Sequence, residues 1–366
     1  LWMWLVAILG TATAFSEATL AQLFKVRRPD GTFRGGPAYY ISRGLGLPIL
    51  GGVFAVVFLI ANGLVMPMVQ ANAITASLQG AGGLSPSLGA VLVVALTAPV
   101  LLGGLRAMAR VAEYLAPFMA LAYLVLVLAI LLTHPVQAWE ALRSIIEGAF
   151  GLRQGLGGLA GGVTAALLNG VRRGLFSNEA GLGGAACAAG SATVSHPVQQ
   201  GFIQSLGVFV DTIVVCTATA LIVLLSGVYT PEGTLEMGEG PAKDAASTLT
   251  SSSIGAVLGG WTEYLMAVII FVFAYSSLLG NYTYAQVNMD FLRGTGHRHY
   301  ALRAMIVVAT GIGAVASLTF VWNLSDVVMG LMAIINIVAI IVLGRWAFGA
   351  LADWEDQKRR LDAGEI

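Results

Sequence analysis

The chain has 366 residues, 57% of them hydrophobic and 10% charged, with 19 basic against 19 acidic side chains and a mean hydropathy of +0.83. This composition excludes a water-soluble globular domain, and the zero net charge excludes a general attraction to nucleic acid or acidic surfaces. Repeated apolar runs of about 18 residues or more mark a polytopic helical membrane protein.

The first apolar run, residues 1–24, ends at Lys25, Arg27, Arg28 and Pro29, before the turn Asp30-Gly31. It lacks a basic leader and a cleavage-type end, so it reads as a span and not as a signal peptide. The chain opens at Leu1, inside this run, which reads as the start of a fragment. The second span, 48–78, is long enough to be strongly tilted, and spans at 88–105 and 112–132 follow. Residues 134–158 form a polar connection with Trp139 as an interfacial anchor. After an unusual element at 159–194 come spans at 198–228, 254–292, 301–320 and 323–343, with a glycine- and acid-containing loop at 229–253. The tail from Arg345 is charged and reads as a short surface helix.

Basic residues orient these nine spans. Lys25, Arg27, Arg28, Arg34, Arg43, Arg106, Arg110, Arg293, Arg298, Arg303, Arg345, Lys358, Arg359 and Arg360 fall on one side, while Arg143, Arg153 and Lys243 fall on the other. The bias places the first group and the C-terminus in the cytoplasm of a plasma (inner) membrane protein.

The element at 159–194 is the one that departs from the pattern. Two apolar stretches, 159–171 and 182–194, are each too short for a hydrocarbon core of ~30 Å, which takes about 20 helical residues. Between them lie Asn169, Arg172, Arg173, Ser177, Asn178 and Glu179, with Gly181 and Gly183 to free the backbone. A helix broken at mid-membrane fits, because a break exposes backbone groups that can hold ions and small polar ligands. A helix that ends near Arg173, followed by an Ala/Gly-rich loop, fits as well.

Four spans precede this element, and the element and its followers make five. One further helix ahead of Leu1 would complete five plus five, and an odd-numbered repeat must be inverted in the membrane. The expected fold is an all-α polytopic membrane protein with a LeuT-like 5+5 inverted repeat, its first helix missing from this chain. It would form a single transporter domain, with residues 1–158 the rest of the first repeat, 159–343 the second, and 344–366 a cytoplasmic tail.

Polar groups inside a membrane are costly and therefore functional candidates. The start of the second half-helix, near Gly181 to Gly184, would offer amides to a carboxylate, and the carbonyl end of the first half would suit a cation. Arg172 or Arg173 could instead neutralise Glu179. Ser276 and Ser277 offer hard oxygen ligands to a small cation, or bond back to the preceding turn. Asn62 and Gln70 fall on roughly one face of the second span, with Pro67 between them to bend it. Glu17 and Asp211 lie well inside spans, as proton relays or as buried hydrogen-bonded packing groups. His134 and His196 each precede a proline and read as boundary residues. Cys187 and Cys216 sit among small or apolar neighbours and read as packing residues, without a disulfide framework. No spacing supports a resident metal, a nucleophile–base pair or a phosphate loop, which argues against an enzyme. A channel is disfavoured because the polar residues cluster at one depth.

The stretches Arg173-Gly-Leu-Phe-Ser-Asn-Glu-Ala-Gly181, His196-Pro-Val-Gln-Gln-Gly201 and Gly207-Val-Phe-Val-Asp-Thr212 resemble those of the alanine or glycine:cation symporter family. Gly35-Gly-Pro-Ala-Tyr-Tyr40 and Tyr275-Ser-Ser-Leu-Leu-Gly-Asn-Tyr282 are similar too, and the resemblance covers essentially the whole chain. It implies the fold of sodium symporters with broken first and sixth helices, and sodium- or proton-driven uptake of small neutral amino acids, without a cofactor beyond the coupling ion. By the same resemblance Ser276 and Ser277 on the eighth helix fall where a sodium-binding hydroxyl pair is expected. Gln70 on the third helix, and Phe176 with Ser177, Asn178 and Gly181 on the sixth, fall where substrate is held. Asn281 stands where some members carry a bulky aromatic, which widens the pocket towards a longer substrate such as glutamine. The absent first helix would complete both the ion and the substrate site, so the chain as given is expected not to transport alone. Oligomeric state is left open.

Overall fold

Lipid offers no partner for backbone amides and carbonyls, so apolar runs of this length satisfy their hydrogen bonds internally as helices. The protein is seen in a computed structural model that describes residues 1–103, 120–150, 159–229, 242–294 and 299–364. The helices are α1 (Trp2–Leu23), α2 (Pro37–Gly44), α3 (Pro48–Gly82), α4 (Pro86–Gly103), α5 (Ala120–Thr133), α6 (Pro135–Ala149) and α7 (Leu159–Asn178). They continue as α8 (Gly184–Ser191), α9 (Pro197–Leu225), α10 (Ala242–Leu258), α11 (Trp261–Arg293), α12 (Tyr300–Val315) and α13 (Leu318–Asp362). Among the described residues, five of these (α1, α3, α9, α11 and α13) are long and apolar enough to cross a membrane, or six if the bent pair α5–α6 counts as one span. The protein is therefore an all-α, multi-pass membrane protein.

Helices occupy the described parts of the expected spans, and the boundaries differ in instructive ways. Residues 104–105 and 112–119 of the third and fourth expected spans lie outside the described residues. The connection at 134–158 holds a helix, α6, turned by 103° from α5 at His134-Pro135, where proline starts a helix more readily than it continues one. The span expected to begin at residue 254 is divided. Helix α10 runs to Leu258, the chain turns through Gly259 at φ 99°, and α11 begins at Trp261. The last span does not stop at residue 343 before a separate surface helix. Helix α13 continues unbroken for 45 residues, its polar end tied along one face by Gln357 to Asp353 and Arg359 to Asp356.

Two helices contain π-turns. In α3 it covers Ala61–Val65, just before Pro67, where the helix lacks one amide donor. In α9 it covers Phe209–Cys216 and contains Asp211.

The core is centred on α3. One buried cluster joins it to α1, α2, α8 and α13 through Leu20, Tyr40, Phe54, Phe58, Leu182 and Met332. A second joins it to α4, α11 and α12 through Ile74, Leu101, Leu278, Tyr282 and Ile306. At the end of α11, Asp290 is buried among three basic groups. It accepts from Arg34 Nε at 3.0 Å and His299 Nε2 at 2.8 Å, and Arg28 Nη1 lies 3.5 Å away. These contacts pin the hairpin β1 (Val26–Arg27) and β2 (Phe33–Arg34) to α11 and α12.

Candidate functional site: a cavity at a helix break

Helix α7 ends at Asn178 and α8 begins at Gly184, so the element at 159–194 is broken as its glycines suggest, although later than the apolar pattern alone places it. Arg172, Arg173, Phe176, Ser177 and Asn178 are helical, and only 179–183 are irregular. Gly181 (φ 84°) and Gly183 (φ 95°) occupy left-handed backbone that glycine adopts without cost. Glu179, at φ 52°, is the one non-glycine residue with positive φ among the described residues. Such backbone costs on the order of 1–3 kcal/mol and persists where its surroundings enforce it, often at functional sites.

What holds the break is on its far side from the cavity. Asn336 of α13 donates to the Gly181 carbonyl at 2.9 Å and to Glu17 Oε2 at 3.1 Å, and it accepts from the Tyr40 hydroxyl. Glu17 is completely buried. It and Gly181 form a polar buttress with Asn336 and do not line the cavity.

On the near side lies a cavity of about 820 Å³. It brings together nine of the residues singled out from the sequence: Gln70, Phe176, Ser177, Asn178, Glu179, Asp211, Ser276, Ser277 and Asn281. They come from α3, α7, α9, α11 and the break itself, and the π-turn of α9 abuts the same space through Asp211 and Cys216, with Met66 beside the π-turn of α3. Asp211 accepts hydrogen bonds from Ser177 and, at 3.2 Å, from Thr212. The Asn178 amide donates to Thr212 Oγ1 at 3.3 Å, while its carbonyl caps the Ala180 amide at 3.0 Å. Ser276 bonds back to the Phe273 carbonyl at 2.8 Å, whereas Ser277 is exposed to the cavity.

The arginines do not neutralise Glu179. Arg173 pairs with Asp326 of α13, and its guanidinium lies 4.4 Å from the Trp322 ring centre. Phe176 packs on the same ring at 4.5 Å, so an ion pair and two aromatics meet where Arg173 and Phe176 line the cavity. Arg172 is exposed and lines a separate cleft with Asp326.

Other polar candidates lie elsewhere. Asn62 is buried in the first π-turn, and Asn72 donates to the carbonyls of Gly313 and Ala316 at the end of α12. His134 and His196 stand at helix starts, and His196 Nδ1 accepts from the Val198 amide at 3.3 Å. Cys187 and Cys216 are free. Sequence reasoning missed Tyr284 and Gly280, although 277, 280, 281 and 284 form one face of a helix and the spacing alone would have included them. It also missed Arg173 as a lining group, because its partner is 153 residues away. Among the described residues no cluster of His, Cys, Asp and Glu could hold a metal ion.

Comparison with known proteins identifies the family of the chain. The sodium:alanine symporter family model matches residues 1–365. The "Probable sodium/glutamine symporter GlnT" of Bacillus subtilis is 38% identical over 98% of this chain and 72% of its own length. The "Amino-acid carrier protein AlsT" of the same organism is 39% identical over 98% and 74%. Its "Putative sodium/proton-dependent alanine carrier protein YrbD" is 38% identical over 98% and 75%. A match along the whole chain, joined to a many-helix membrane fold, means that this protein belongs to the sodium:alanine symporter family and is a transporter, not an enzyme.

Proposed function

We propose that this protein couples inward movement of Na+ to uptake of a small neutral amino acid by alternating access. The observation that carries the reading is the cavity at the α7–α8 break, where hydroxyls, amides, two carboxylates and an aromatic face meet inside a membrane protein. Gln70, Phe176, Ser177, Asn178 and Asn281 are assigned to the amino acid, with Gly181 acting through the shape of the break. Ser276 and Ser277 are assigned to Na+. Of two inverted five-helix repeats, the helices through α6 are read as the rest of the first and those from α7 to residue 343 of α13 as the second. The positive-inside bias supports placement in the cell membrane with α13 ending in the cytoplasm. Joint occupation by ion and amino acid would favour closure over the cavity by Arg173, Asp326, Phe176 and Trp322, and opening at the opposite end.

The test is uptake of labelled alanine, glycine and glutamine by the full-length protein in proteoliposomes, with an inward Na+ gradient and without one. Na+-dependent uptake of any of the three supports the reading and ranks the substrates. Alanine and glutamine are both named among the relatives, and the buried but small Asn281 leaves room for the longer one. A second reading, proton coupling, draws on the relative named as a sodium/proton-dependent carrier. It predicts uptake that follows a pH gradient and ignores Na+, with Asp211 or Glu179 as the proton carrier.

A further inference from the structure

The cavity contains two carboxylates, and their surroundings differ. Asp211 is held by the hydroxyls of Ser177 and Thr212. The Glu179 carboxylate accepts no hydrogen bond and pairs with no basic side chain among the described residues. Its Oε2 lies against Gly184, so closely that a Cβ there would overlap it, and the edge of the Tyr284 ring borders the same spot. A carboxylate at membrane depth without a counter-charge is expensive to ionise, and a positively charged ligand would offset that cost.

A second observation points the same way. Helix α7 ends beside Glu179, and no described amide donates to the carbonyls of Phe176, Ser177 or Asn178. The free carbonyl end of a helix carries partial negative charge. Carboxylate and helix end thus select positive charge at one place. A carboxylate facing open volume suits a three-donor ammonium carried on a larger molecule.

We propose that Glu179 is a substrate-binding residue that receives the α-ammonium of the amino acid. The assignment rests on the symport reading above. It also explains the strained backbone at position 179, which turns the side chain towards the cavity at a point where glycine or asparagine would sit more easily. The substrate class follows: 2-amino acids with a free ammonium, and not 2-hydroxy acids of the same length.

The test uses proteoliposomes containing the wild type, Glu179→Gln and Glu179→Asp, with whichever of alanine, glycine or glutamine the wild type takes up. For the wild type, unlabelled alanine should compete and lactate should not. For Glu179→Gln the KM should rise by roughly tenfold to a hundredfold, as expected for losing a charge-assisted hydrogen bond. Its half-saturating Na+ at saturating substrate should stay within about twofold, and its pH profile should be unchanged. Glu179→Asp should lie between the two and is read alone if the Gln variant fails to insert. A KM within about twofold of the wild type overturns the proposal. So does a raised half-saturating Na+ at saturating substrate, which would make Glu179 an ion ligand, or a lost pH dependence, which would make it a proton carrier. If the wild type shows no Na+-driven uptake of any of the three, it is the symport reading that fails.

Discussion

Arg173 and Asp326, 153 residues apart, form an ion pair whose arginine also lies over the Trp322 ring. Partly exposed pairs of this kind contribute up to about 1 kcal/mol, small for stability but enough to bias two states of similar energy. Asp326→Asn keeps the shape and removes the charge. It should open this end of the cavity and speed maleimide labelling of Cys216, which lines the cavity, by about threefold to fivefold. Buried Cys187 serves as the internal control.

Asn336 holds three elements together, and its loss cannot be repaired locally. In Asn336→Ala the buried Glu17 carboxylate, the Gly181 carbonyl and the Tyr40 hydroxyl all lose a partner. A cost of about 2–4 kcal/mol follows from stranding buried polar groups. The melting temperature in detergent should fall by several degrees, and substrate binding should weaken although no residue of the cavity has changed.

The two serines of α11 should separate in a sodium titration. Ser277 faces the cavity, so Ser277→Ala should raise half-saturating Na+ by about tenfold with a smaller effect on substrate KM. Ser276→Ala should have less effect, since that side chain is less open to the cavity than Ser277, although its lone pairs remain free for an ion. An unchanged sodium response in Ser277→Ala removes that residue from the ion site.

Asn281 is buried on the cavity wall, and a larger side chain there must project into the space. Asn281→Trp should favour alanine and glycine over glutamine in kcat/KM by roughly tenfold, in line with one steric clash of 1–3 kcal/mol. Equal losses for all three substrates would argue against control of substrate length at this position.

Much of this was legible in the sequence because membrane burial leaves strong marks. Apolar runs located the helices, and polar residues between two short runs located the break and one part of the cavity wall. The remainder depended on distances that sequence does not encode. That Asp211 and Ser177 meet, or that Glu17 turns away to Asn336, is decided by helix rotation. A π-turn adds a residue without leaving a clear compositional trace, so the rotations within α3 and α9 could not be read from periodicity. The division of residues 242–293 at Gly259-Gly260 was obscured for a different reason. Apolar residues flank the turn on both sides, and a hydropathy pattern runs through it as if it were one helix.

The unbroken α13 has a mechanical consequence. Its 45 residues span ~67 Å at 1.5 Å per residue, about twice a hydrocarbon core. The helix is therefore a lever whose near end carries Asp326 and whose far end carries Asp353 and Trp354, which contact His196 at the start of α9. A tilt of a few degrees about mid-membrane, too small to resolve at the cavity, becomes a displacement of a few ångströms at that far end. The His196–Trp354 contact, with ring centres 5.1 Å apart, gives the protein an intrinsic fluorescent gauge of events at its centre.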